Sequence, residues 1–221
     1  MKAWIIAALL VAAFVPTANA QPYDLRGFKL GMTMDEFLVM RHPDGHSWLR
    51  IMCTGNPDAA QATGGAELRV SSTESKIGVV RCNHFRNDYG TGTARLTGFN
   101  MDVAGVKVFQ RFEFVPDPAS AELRLFRIVI DSNMDYWDQF WSAYNEKFGK
   151  PGSLKTEKVQ NGAGATFDKV VAVWANKESS ILLEQRAAKI NLMRIVYQES
   201  ALAAYVAQKT EAIEGRPSDK L

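Results

Sequence analysis

The chain has 221 residues, 47% of them hydrophobic and 23% charged, which is an ordinary globular composition and long enough to bury a substantial core. Its 26 basic and 24 acidic side chains nearly cancel, and from Arg41 to Arg127 the two signs are interleaved, unlike the clustered cations that nucleic-acid binding requires. No phosphate loop, dinucleotide fingerprint or Gly-x-Ser-x-Gly elbow occurs, so nucleotide-dependent and serine-hydrolase chemistries are without their signatures.

Residues 1–20 read as a signal peptide. Lys2 precedes an unbroken apolar run from Ala3 to Val15, followed by Pro16 and the small-residue sequence Ala18-Asn19-Ala20, the usual order of an export signal. The run is shorter than the roughly 20 residues that span a bilayer, and no cysteine follows it to carry a lipid. Cleavage is expected between Ala20 and Gln21. The mature chain keeps 25 basic and 24 acidic side chains, and is expected to be periplasmic or secreted, without stable membrane insertion.

Thr33 and Glu36 form a capping box, with Met32 and Phe37 as a hydrophobic staple around it, and predict a short helix from about Met34 to Arg41 that Pro43 and Gly45 end. From His46 to Ile130 short alternating runs separated by Gly, Asn, Asp and Pro predict strands. In the clearest run Val106, Val108, Phe112 and Phe114 share one face, while Lys107, Phe109, Arg111 and Glu113 share the other. Pro116-Asp117-Pro118 turns the chain, and Leu123 to Ile130 returns as its antiparallel partner. The interleaved charges read as solvated strand faces. Thr54 to Gly65 is polar and small, and reads as a loop.

Cys53 and Cys82 are the whole cysteine set. In an exported protein they are expected to form a disulfide, which on the chain-entropy model stabilises by about 3 to 4 kcal/mol. The competing reading is a reactive thiol at Cys82 with His84 as its base.

Met134, Trp137, Phe140, Trp141, Tyr144 and Phe148 recur every three or four residues and predict a helix from about Met134 to Phe148. Ser132 or Asn133 caps it, and Gly149 and Pro151 stop it. The aromatic stripe reads as core; a partner-binding surface is the alternative. Three strands follow, about Ala165 to Ala175, Ser180 to Arg186 and Asn191 to Tyr197. A final helix, about Glu199 to Glu214, places Leu202, Tyr205, Val206 and Ile213 near one stripe, and residues 216–221 read as a tail. The fold class is therefore α+β, with helices on antiparallel sheets in two similar lobes, residues 21–131 and 132–215.

Candidate chemistry is sparse. His42 and His46 have the i, i+4 spacing of a zinc pair, yet Pro43 and Gly45 between them oppose a helix. Asp44 and His84 could complete a site if the fold brings them there. Asp35 and Glu36 read as favourable charge in a helix first turn, and Gly90-Thr91-Gly92 as a turn. No catalytic residue, metal ligand or cofactor is assigned.

Leu30-Gly31-Met32-Thr33 with Glu36, opening a short helix before an antiparallel sheet, resembles the start of a repeat in the beta-lactamase inhibitor proteins and in small outer-membrane assembly lipoproteins. The resemblance implies a non-enzymatic module that binds another envelope or extracellular protein across its sheet. The chain departs from the lipoproteins in lacking the lipidated cysteine, and no functional residue is carried over. The alternatives are an envelope enzyme, such as a metal-assisted hydrolase using His42, His46 or His84, and a small-ligand carrier.

Overall fold

The computed structural model describes residues 21–45, 47–63, 65–88 and 95–215, with the backbone alone at 60, 61, 88 and 95. The expected signal sequence with Ala20, then His46, Gly90-Thr91-Gly92 and the expected tail, lie outside the described residues. The chain opens with a hairpin of β1 (Asp24–Leu25) and β2 (Phe28–Lys29), then α1 (Met34–Val39), β3 (Arg50–Cys53) and α2 (Ser72–Ile77). Five strands follow: β4 (Val80–Asp88), β5 (Arg95–Gly98), β6 (Met101–Val103), β7 (Val106–Pro116) and β8 (Leu123–Asn133). After α3 (Trp137–Phe148) come β9 (Ser153–Gln160), β10 (Thr166–Ala175), β11 (Ser179–Glu184), β12 (Leu192–Glu199) and finally α4 (Ser200–Glu214). The fold is α+β.

Both halves feed one ten-stranded sheet with the order β3-β4-β7-β8-β12-β11-β10-β9; β5 pairs with β4 and β6 with β7. Each half thus supplies two helices and four strands of the central path, and the two join through their last strands, β8 and β12, which run antiparallel. A strand's side chains alternate between faces, so a cross-strand row stays on one side of the sheet. On the helix side the row Cys82, Phe112, Ile128, Tyr197, Ile181 and Trp174 crosses six strands and is buried throughout. Phe37 of α1 and Phe140 and Tyr144 of α3 press onto this side and close the main core. Each such large side chain contributes about 2 to 3 kcal/mol when withdrawn from water.

The local signals explain the helix starts. Thr33 and Glu36 make the reciprocal capping box, Met32 packs against the core, and Phe37 is fully buried. The helix stops at Val39, two residues before the predicted end, because Met40 is extended. At α3, Asn133 caps a single 3₁₀ turn, Met134–Tyr136, and the α-helix begins only at Trp137. A second capping box, Ser71 with Glu74, starts α2, and Gly78 ends it in the left-handed conformation that a side chain would strain. Neither α2 nor β9 is among the elements expected from the sequence. The loop after β3 holds two 3₁₀ turns, Pro57–Gln61 and Gly65–Leu68, and buries Ala59, Ala62 and Leu68 against Met52 and Phe85.

Among the described residues, the opposite side of the sheet is covered by helices at one end only. There Leu202, Tyr205 and Val206 of α4 meet Ile77 of α2, Val79 just after it, and Val115 and Phe126 of the sheet. Ile213, expected on the packed stripe, is 37% exposed, while Glu214 beside it accepts from the Thr73 hydroxyl of α2 at 2.7 Å.

Candidate functional site

Two regions hold the residues singled out by sequence. The first is a cleft on the helix side of the sheet, beside α1 and the edge strand β3. His42, in the loop after α1, and His84, on β4, are 42 positions apart, yet their ring centroids lie 4.8 Å apart, edge to face. Asp44 joins them through its loop, with its amide donating to His42 Nδ1 at 3.2 Å.

That bond fixes the chemistry available to His42. A backbone N–H can donate only to an unprotonated nitrogen, so the neutral ring carries its proton on Nε2. The Asp44 carboxylate stands 4.0 Å from Nδ1 and therefore does not receive an Nδ1–H, as the orienting acid of an acid–base dyad would. It is engaged elsewhere: Arg26 donates to it at 2.6 Å, Lys107 at 3.3 Å and the Asp102 amide at 3.1 Å. Desolvation by partial burial would raise the pKa of the Asp44 carboxyl, but the hydrogen bonds from Arg26, the Asp102 amide and Lys107 outweigh it and hold the group below the usual carboxylate range.

His84 is 2% exposed and packs among the rings of Phe28, Phe37 and Phe112. Among the described residues neither ring nitrogen has a hydrogen-bond partner. Each unsatisfied buried polar atom costs about 1 to 3 kcal/mol. Burial first, and then His42, push its pKa down to about 3, so the ring is neutral at physiological pH. Leu38, Met40, Leu49 and Ile51 line the cleft with Arg41, Arg50, Ser47 and the two histidines, enclosing about 580 Å³.

The expected bridge forms between Cys53 and Cys82, directly opposed on β3 and β4, so Cys82 has no thiol for His84 to activate. No group of three His, Cys, Asp or Glu side chains among the described residues could hold a metal ion. Asp35 and Glu36 sit in the first turn of α1, where Glu36 is committed to the capping box.

The second region is the uncovered part of the opposite sheet face. Val173, Leu182, Val196 and Val129 stand directly opposite one another on β10, β11, β12 and β8. The first three are half-buried. A parallel row holds Val171, Glu184, Arg194 and Asp131, and Arg194 donates twice to Asp131 at 2.7 and 3.1 Å. Lys169 bridges Glu184 at 2.5 Å and Glu157 at 3.5 Å. Hydrogen bonding to these carboxylates, led by Glu184, raises the Lys169 pKa.

Further along this face the charges expected on solvated strands form a buried knot. Arg81, Glu113 and Arg127 are direct cross-strand neighbours on β4, β7 and β8. Glu113 has no exposure and is met by Arg127, Arg111 and Arg81 at 2.5, 2.7 and 3.2 Å. Glu74 of α2 reaches the same cluster through Arg81, which also donates to the Arg69 carbonyl. The alternation placed Glu113 on the correct face, but its burial depends on α2 and the loop before it.

The aromatic stripe of α3 lies against the sheet. Phe140 and Tyr144 are buried, while Trp137, Trp141 and Phe148 pack at the margin of the core. Tyr144 shares a 2.8 Å hydroxyl bond with Tyr197 of β12, and Trp137 and Trp141 stack 5.7 Å apart.

No protein-family model, curated protein or solved structure matches this chain.

Proposed function

We propose that the chain is an exported, non-enzymatic protein-binding module of the bacterial envelope, and that it docks a folded partner on the uncovered part of its sheet. The observation that carries this reading is the cross-strand row Val173, Leu182 and Val196, half-buried with no helix over it among the described residues and bordered by the ion pairs of Lys169 and Arg194. A solvated antiparallel face normally carries polar side chains. An apolar centre with a charged rim is the pattern of a protein interface. The partner that fits is an envelope or extracellular protein with its own apolar patch and mixed charges around it.

The disulfide and the export-type residues 1–20 support an oxidising compartment. Among the described residues no helix is long and apolar enough to cross a membrane. The resemblance of Leu30 to Glu36 to beta-lactamase inhibitor proteins and assembly lipoproteins points to the same class of activity.

The test is in-cell crosslinking of tagged wild-type protein and of Leu182→Asp, with Lys189→Glu as an exposed control. The expected result is one partner recovered near stoichiometrically with wild type and control, absent with Leu182→Asp, while all three melt at similar temperatures. Equal recovery with Leu182→Asp would remove this face as the interface.

A further inference from the structure

We propose that the cleft between α1 and β3 binds a small organic carboxylate with an apolar body and a hydrogen-bonding group at its far end. The cleft lies on the helix side of the sheet, so the inference is independent of the docking face described above.

Three features define the ligand. At the floor, His84 is almost wholly buried and offers one N–H and one lone pair, neither with a partner among the described residues. A core position among Phe28, Phe37 and Phe112 would be filled by an apolar side chain without leaving polar atoms unsatisfied. A hydroxyl or carbonyl seated on the ring would satisfy it. The walls, Leu38, Met40, Leu49 and Ile51, ask for an apolar body. Arg41 and Arg50 also line the cleft; both are exposed, and neither has a carboxylate partner among the described residues.

The same lining separates an anion from a metal. Among the described residues no carboxylate lines the cleft, Asp44 is held by Arg26 and Lys107, and two guanidiniums stand in the lining. That field repels a cation and attracts an anion. The volume of about 580 Å³ accommodates a single-ring molecule with room for water.

The test uses purified, oxidised protein and three probes: 4-hydroxybenzoate, benzoate and neutral 4-hydroxybenzamide. Calorimetry gives the affinities, and the histidine ring nitrogens are followed by long-range proton–nitrogen spectra, which three histidines keep assignable. 4-Hydroxybenzoate is expected to bind about tenfold more tightly than either of the others, each lacking one polar contact, and to shift the His84 ring resonances. The double variant R41Q/R50Q, changed only at exposed positions and checked by its melting temperature, is expected to bind acid and amide alike. Equal affinity of the wild type for acid and amide, or no probe shifting His84, overturns the proposal. Zinc chloride moving both His42 and His84 resonances where the acids move neither would overturn it in favour of a cation site.

Discussion

Arg127 of β8 donates to Glu113 of β7 at 2.5 Å across the strand pair, and the carboxylate it reaches has no contact with solvent. Burial by itself would raise the pKa of Glu113, but the charges of Arg127, Arg111 and Arg81 outweigh it and hold the carboxyl below its ordinary 4.5. Removing one partner of a buried ionic cluster leaves the rest uncompensated. Glu113→Gln is expected to lower folding stability by about 3 kcal/mol at pH 7, read from urea denaturation. Because the folded pKa is depressed, the wild-type advantage is complete above about 4.5 and shrinks as pH falls below it. A gap that stays constant down to pH 2.5 would contradict the assignment.

His84 titrates in a different window. Its pKa is about 3 in the folded protein against 6.5 when free, so between those values the unfolded chain binds the extra proton. Stability is expected to fall as pH drops from 6.5 toward 3, by up to about 1.4 kcal/mol per unit. His84→Leu should abolish this slope between pH 6.5 and 5, above the range in which Glu113 acts. Parallel denaturation curves of both proteins at pH 7 and 5 decide it.

The Tyr144 and Tyr197 hydroxyls are each other's hydrogen-bond partners in the core, and burial, the largest influence on each, raises both pKa values. Tyr144→Phe or Tyr197→Phe alone strands a buried hydroxyl and is expected to cost about 1 to 3 kcal/mol. The double variant removes donor and acceptor together and should be closer to wild type than the sum of the two. A double-mutant cycle by thermal denaturation measures the coupling, and simple additivity would show that the hydroxyl pair contributes nothing specific.

The Cys53–Cys82 bridge spans 29 positions, including both 3₁₀ turns and α2. Its removal in C53S/C82S is expected to lower stability by about 3 to 4 kcal/mol, chiefly by freeing the unfolded chain. Urea denaturation of this variant should match that of the reduced wild type. A wild type indifferent to reductant would contradict the expectation.

Elements whose stability is local were legible. The capping box at Thr33 and Glu36, the aromatic period of α3, the Gly149 stop and the alternation of β7 each place their own signal within a few residues. The disulfide followed from cysteine count and compartment. α2 had a readable signature in Ser71, Glu74 and Gly78, but at six residues it adds no apolar period. β9 carried no legible pattern, because an edge strand reading Ser-Leu-Lys-Thr-Glu-Lys-Val-Gln is largely exposed on both faces. Charged side chains suit such an edge, since they discourage further strand pairing.

The sequence by itself determined the short-range geometry: where helices begin, which face of a strand is apolar, and which residues can bridge. The tertiary structure alone decided that β8 pairs with β12 to merge the halves, that Glu113 is enclosed by three arginines, and that His42 meets His84. The physical reason is range. Caps and periodicities act over one or two turns of chain, whereas burial and electrostatic environment depend on partners tens of residues away that only the completed sheet assembles.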